Sequence, residues 1–246
     1  MVVWIVLIAA YALLAWGIAW LTSPRIRGDD PVVSALYRIF QLYARRVHRL
    51  TVEGRENIPS AGQRPILVVA NHSAGADPIL IQAAMPFEVR WVMARDMRLP
   101  WLKSLWEFAL IIFVDRSGRD GAGVREALRH LETGGVLGIF PEGQLERPPE
   151  VLQPFQHGVG MMIRRTRPLV LPIVIDGTPQ TDTAWASLWH SSRSRLRILP
   201  PVDYSAKKMK ANDITEDLME RFRDVTGWPV SSEVGVAGGT EGGEAC

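Results

Sequence analysis

The stretch PILVVANHSAGADPILIQAAM, residues 65–85, changes its hydrophobic pattern midway. Ile66–Ala70 is a short unbroken apolar run, which predicts a central strand covered on both faces. From Pro78 to Met85 the apolar residues continue behind a proline suited to a first helical turn, which predicts a helix. Asn71–Asp77 is the polar loop between them. The same alternation recurs downstream: EVRWVMA (88–94) precedes LPWLKSLWEFA (99–109), and LIIFVD (110–115) precedes GVREALRHLE (123–132). VLGIF (136–140) and LVLPIVI (169–175) add further strands. Strand–helix alternation of this kind argues for an α/β fold, a mostly parallel central sheet flanked by helices. Pro172 implies an edge, a bulge or a break in the last run, because proline gives no N–H to a ladder.

Composition bounds what surrounds this alternation. A chain of 246 residues with 47% hydrophobic content supports one substantial core, assigned here to residues 51–230. Gly54 and NIPSAGQRP (57–65) mark its turn-rich entry, and no internal repeat is visible. The Gly-rich end, GVAGGTEGGEAC, has no apolar face, so residues 231–246 are expected to be disordered. A net charge of +2 does not indicate a nucleic-acid binder, while basic clusters near 164–167, 193–197 and 207–210 fit a face turned toward anionic lipid or ordinary solvated faces. The single cysteine, Cys246, excludes an internal disulfide and a cysteine-based zinc site.

Val2–Leu21 contains no charged residue, Pro, Ser, Thr, Asn or Gln. About 20 helical residues at roughly 1.5 Å each span the hydrocarbon layer, so residues 1–24 are expected to form a transmembrane helix. No positive n-region precedes it, which argues for a retained anchor rather than a cleaved signal. Trp4, Trp16 and Trp20 lie toward its ends, although Tyr11 sits near its middle. Arg25, Arg27, Arg38, Arg45, Arg46 and Arg49 all follow it. The positive-inside rule then predicts a single-pass membrane protein with the domain at 51–230 on the cytoplasmic face. Within residues 25–50, Val32, Leu36, Ile39, Phe40, Tyr43 and Val47 recur at helical intervals. They predict a basic amphipathic helix, either lying in the membrane interface or packed on the core.

In an open α/β sheet, ligands gather at loops leaving the carboxyl ends of strands. His72 and Asp77 in NHSAGADP lie on such a loop. A neutral imidazole can take a proton from an alcohol when a carboxylate fixes its tautomer, so His72 is read as a base and Asp77 as its orienter. Asp77 before Pro78 is equally what a helix N-cap looks like. Arg116, beyond the strand LIIFVD, offers a planar charged fork suited to phosphate, or pairs with Asp115 or Asp120. In FPEG, Glu142 can accept a bond from a glycerol hydroxyl and Gly143 permits close backbone approach; a plain tight turn explains both as well. Trp91, Trp101 and Trp106 are candidate lining for an apolar groove, or core packing.

Together NHSAGADP, FVDR, FPEG and VLPIVI occur in the order and rough spacing of the four motif blocks of the glycerolipid acyltransferase superfamily. Over about residues 51–205 the sequence strongly resembles the 1-acylglycerol-3-phosphate acyltransferases, with VEGRENIP and PFQHGVGMM also matching their pattern. The resemblance implies acyl transfer from acyl-CoA or acyl-acyl carrier protein to the hydroxyl of lysophosphatidic acid in phospholipid synthesis. It implies catalytic roles for His72 and Asp77, and a substrate-binding set of Asn71, Arg116, Glu142 and Gly143. No metal and no cofactor beyond the acyl thioester are expected, and the expected partners are membrane lipids and the thioester donor, with acyl carrier protein where it rather than CoA carries the acyl group; no nucleic acid is expected. The family's third block continues from FPEG into Thr-Arg-Ser, whereas Gln144, Leu145 and Glu146 stand here. That difference keeps open a remodelling enzyme acting on another lysophospholipid or lyso-lipid. A catalytically silent membrane lipid-binding module is the rival of a different class.

Overall fold

The computed structural model describes residues 11, 13–19, 31–115, 121–146, 148–181 and 183–231. Helix α1 (Pro31–Arg46) leads into strands β1 (Thr51–Glu53) and β2 (Ile66–Ala70), then helix α2 (Asp77–Ala84) and strand β3 (Arg90–Ala94). Helix α3 (Lys103–Phe108), strand β4 (Ile112–Val114), helix α4 (Ala122–Glu132) and strand β5 (Val136–Ile139) continue the alternation. Helix α5 (Gly158–Thr166), strands β6 (Leu169–Asp176), β7 (Arg195–Ile198) and β8 (Val202–Asp203), and helix α6 (Ala211–Thr226) complete it.

The sheet order is β1-β7-β6-β2-β5-β3-β4, with β8 also pairing β6. All neighbours run parallel except β7 and β8, which are antiparallel to β6. Strand β2 is central, and each of its residues is fully buried. Period-two alternation divides them: Ile66, Val68 and Ala70 pack with Leu80, Ile81 and Trp91, while Leu67 and Val69 pack with Leu137, Ile163 and Phe222. Burying one such large aliphatic side chain is worth about 1.5–3 kcal/mol, so this strand anchors both layers.

Pro172 neither breaks β6 nor places it at an edge. The strand is continuous, with Pro172 opposite Val69 of β2. On its other side the partner chain passes from β7 to β8, and Leu199 N–H donates to the Pro172 carbonyl at 2.9 Å. A strand residue's N and C=O point the same way, so the missing N–H falls where that ladder changes partners.

The expected span at 1–24 falls largely outside the described residues. Tyr11 and residues 13–19 are helical. Among the described residues no helix is long and apolar enough to cross a membrane. Helix α1 packs one face on α2, burying Tyr37 and Ala44. Tyr37 Oη donates to the Met85 carbonyl, and Gln41 Nε2 to that of Ala83 at 3.3 Å. Val32, Ile39 and Leu42 nevertheless remain exposed on α1. Of the tail, residues 232–246 lie outside the described residues, whereas Ser231 N–H donates to the Leu152 carbonyl at 2.9 Å.

Candidate active site

Parallel strands β6, β2 and β5 lie side by side and end together, so the loops beginning at Asp176, Asn71 and Phe140 converge. Asn71, expected to bind substrate, is instead fully buried. Its Nδ2 donates to the Ile175 carbonyl and to Glu146 Oε1, both at 2.9 Å, and its Oδ1 accepts from Ile175 N–H at 2.8 Å. The side chain thus extends the β2–β6 ladder beyond the end of the strand.

His72 follows with a side chain 20% exposed, its Nδ1 3.0 Å from Oδ2 of a fully buried Asp77. The same oxygen accepts the N–H groups of Ser73 and Ala74, each at 2.8 Å. Asp77 is therefore not the N-cap: Ala76 holds that position without a side-chain bond, and the carboxylate turns back to close the loop. With Nδ1 engaged, Nε2 is the nitrogen left over, and it has no hydrogen-bond partner among the described residues. A ring stack supports the imidazole, with Phe140 at 4.0 Å and 16° and Trp91 on Phe140 at 5.0 Å and 13°. Gly138 leaves room for this stack, since a Cβ there would lie 2.6 Å from the Trp91 ring.

The loop is braced from the β6 side. Ser73 Oγ lies 2.8 Å from Thr178 Oγ1, and Ala76 N–H donates to Ser187 Oγ at 3.0 Å. Gly75 passes so close that a Cβ would lie 2.2 Å from the Ala184 carbonyl oxygen.

From the β5 side comes the turn Phe140–Gly143, closed by Gly143 N–H to the Phe140 carbonyl at 3.1 Å. Gly143 has φ of 71°, and a Cβ there would meet only Gln156 Cγ at 3.7 Å. The turn, rather than crowding, calls for glycine. Glu142 is buried, and both of its oxygens face protein N–H groups: His72 at 3.2 Å and Gln153 at 3.4 Å. Glu142, read as a contact for a glycerol hydroxyl, here also braces the His72 backbone. Burial, and then the Glu146 carboxylate beside it, push the Glu142 carboxyl well above the usual range. Arg116 and Arg147 lie outside the described residues.

The tryptophans expected to line one groove have separate surroundings. Trp91 is buried in the stack; Trp106 is buried against Phe113 and Trp185; Trp101 is exposed. Among the described residues no group of three His, Cys, Asp or Glu side chains could hold a metal ion. Sequence reasoning missed Phe140, Ser187 and Glu146, whose partners lie far along the chain. The only signal for Glu146 was its departure from the third-block pattern.

A family model described as Acyltransferase matches residues 49–176, which contain the whole His72–Asp77 loop and the Phe140–Gly143 turn. The chain is an acyltransferase of the glycerolipid acyltransferase family. This acyltransferase is 25% identical over 216 residues to the bovine 1-acyl-sn-glycerol-3-phosphate acyltransferase alpha, covering 82% of this chain and 73% of that one. It is 24% identical over 153 residues to a 1-acyl-sn-glycerol-3-phosphate acyltransferase of Helicobacter pylori, covering 61% and 65%. Its fold matches the crystal structure of the 1-acyl-sn-glycerophosphate (LPA) acyltransferase PlsC from Thermotoga maritima, with TM-score 0.64, 22% identity and 80% of each chain covered.

Proposed function

We propose that this acyltransferase acylates the free hydroxyl of lysophosphatidic acid at the cytoplasmic face of a membrane, with His72 as general base and Asp77 as its orienter. One observation carries the mechanism: His72 Nδ1 sits 3.0 Å from a carboxylate that is fully buried. That carboxylate favours the tautomer with the proton on Nδ1 and leaves the Nε2 lone pair for the acceptor. The acceptor hydroxyl gives its proton to Nε2 as its oxygen bonds to the thioester carbonyl carbon. The C–S bond then breaks, the thiolate leaves, and the imidazolium returns the proton to it or to water. Asp77 stabilises the transient imidazolium from a site where its charge is unscreened by solvent. The donor is acyl-CoA or acyl-acyl carrier protein, and Arg116 is assigned to the acceptor phosphate by its place in the motif FVDR. The printed names of the bovine and Helicobacter relatives support this acceptor.

A second reading, another lysophospholipid as acceptor, is favoured by one observation. Where the family pattern has Thr-Arg-Ser, this chain buries the carboxylate of Glu146. Purified enzyme assayed on lysophosphatidic acid, lysophosphatidylethanolamine and lysophosphatidylcholine, with each thioester donor, separates the two. His72→Ala should lower kcat by about 10²–10⁴ with folding kept. Arg116→Ala should raise the KM of lysophosphatidic acid by about 10- to 150-fold, the worth of a charged hydrogen bond, with kcat little changed. Preference for a larger head group would move the assignment to the second reading, and wild-type turnover by His72→Ala would refute the dyad.

A further inference from the structure

The His72 peptide is gripped at both ends by a single turn. Its N–H donates to Glu142 Oε1 at 3.2 Å, and its carbonyl accepts from Glu146 N–H at 2.6 Å. The preceding residue is tied to the same turn, since Asn71 Nδ2 donates to Glu146 Oε1 at 2.9 Å. Glu146 therefore meets the catalytic loop twice, through its backbone and through its side chain. Only 1% of its surface is exposed, and both contacts are made to the catalytic loop.

We propose that Glu146 is a positioning residue, one that fixes the Asn71–His72 backbone so that the imidazole meets both Asp77 and the acceptor hydroxyl. The physical case rests on what the other contacts leave undetermined. Asp77 fixes the imidazole at Nδ1, and Phe140 fixes its plane by stacking. Neither sets the height of the His72 Cα above the end of β2. Asn71 does so from the β6 side through Ile175, and Glu146 does so from the β5 side, with Asn71 Nδ2 shared between them. Without the Glu146 acceptor, one donor bond of the Asn71 amide is lost, and the β5 turn holds the His72 peptide through Glu142 Oε1 and the Glu146 N–H. A buried carboxylate is costly to desolvate, and a second one beside Glu142 costs more. A plain turn gains nothing from that cost, whereas a turn that must aim a base does.

This role rests on the dyad reading, and the test separates the two. Glu146→Gln keeps an oxygen able to accept from Asn71, while Glu146→Leu keeps the volume and removes the acceptor. Each purified variant is compared with wild type and His72→Ala for kcat, for both KM values and for thermal unfolding. Misplacing a reacting group by about 1 Å costs on the order of 100-fold, so Glu146→Leu should lose about 10- to 100-fold in kcat with both KM values within about threefold. Glu146→Gln should restore kcat to within about threefold of wild type, because its amide oxygen still accepts from Asn71. If Glu146→Leu does not fold, Glu146→Gln alone decides, because loss of its kcat despite a wild-type melting temperature overturns the acceptor role. Wild-type kcat in folded Glu146→Leu, or a loss appearing wholly as KM, also overturns the proposal while leaving the dyad intact. Were His72→Ala as active as wild type, dyad and positioning role would fall together.

Discussion

Glu142 shows how one buried group is tied to pH. Burial and the Glu146 carboxylate raise its folded-state pKa well above 4.5, its ordinary value. Between that value and the raised one the folded chain holds a proton that the unfolded chain has released. Stability from this site is therefore lost as pH rises through the window, and the full penalty applies above it. Glu142→Gln cannot titrate yet still offers an oxygen to the His72 or Gln153 N–H. Its melting temperature relative to wild type should climb between about pH 5 and pH 8, and each kcal/mol appears as about 2–4 °C in a domain of this size. A constant difference across that range would show that Glu142 is not held with a raised pKa. The geometry around these residues was half legible in the sequence. His72 and Asp77 sit five positions apart, and the structure joins them directly. Asn71 and Glu142 stood in the right motifs, but their burial follows from partners such as Ile175 and Gln153, supplied by tertiary contact that no local pattern encodes.

At the scale of elements, the strands read correctly were those with unbroken apolar runs, because β2, β5 and β6 are covered on both faces. The short strands β1, β7 and β8 escaped, whereas the edge strand β4 was read from LIIFVD. Thr51–Glu53 spans only three residues with none buried, and Arg195–Ile198 alternates charged and apolar side chains beside it. Helix α6 was readable in principle, since Ile214, Leu218 and Phe222 recur every four residues and are all buried. Helix α1 joins the outer side of the fold through a histidine the sequence did not single out. His48, just past α1, has Nδ1 at 2.7 Å from Ser192 Oγ and Nε2 at 2.7 Å from Tyr43 Oη. Tyr43 Oη donates to the Leu188 carbonyl, so its oxygen accepts from Nε2–H. Burial lowers the pKa of His48 below 6.5 despite an opposing pull from Asp77. Below that value the unfolded chain binds the proton more readily than the folded one, so stability is lost as pH falls. Burial also lowers the pKa of His130, so it adds to the same slope. His48→Gln should flatten, without abolishing, the fall in melting temperature between about pH 7 and pH 5. An unchanged slope would assign the pH response to His130 and other groups.

For the whole molecule, the open question is how the domain meets the membrane on which its proposed acceptor resides. Helix α1 packs on the core and also leaves Val32, Ile39 and Leu42 exposed, with Arg45, Arg46 and Arg49 exposed near its end. Leu13, Leu14, Trp16 and Ile18 are exposed on the preceding helical segment. The Tyr43–Leu188 bond brings the segment Ala184–Trp189, with Trp189 85% exposed, beside α1. Exposed apolar side chains on α1 with arginines at its end, and an exposed tryptophan on the adjoining segment, suit a bilayer interface carrying anionic lipid. Two attachments are then expected, the first apolar stretch and the outer face of α1, and they can be separated. In flotation with vesicles of phosphatidylglycerol and phosphatidylcholine, full-length Ile39→Glu/Leu42→Glu should stay bound through residues 1–24. A chain lacking residues 1–24 should also bind, more weakly and with sensitivity to salt. Adding both glutamates to that shorter chain should release it. Each lost apolar contact is worth about 1.5 kcal/mol or more, so the pair should weaken partitioning on the order of 100-fold. Equal binding of the shortened chain with and without the glutamates would show that α1 serves only the core. Release of the full-length double variant would instead make α1 the principal attachment and the first apolar stretch a minor one.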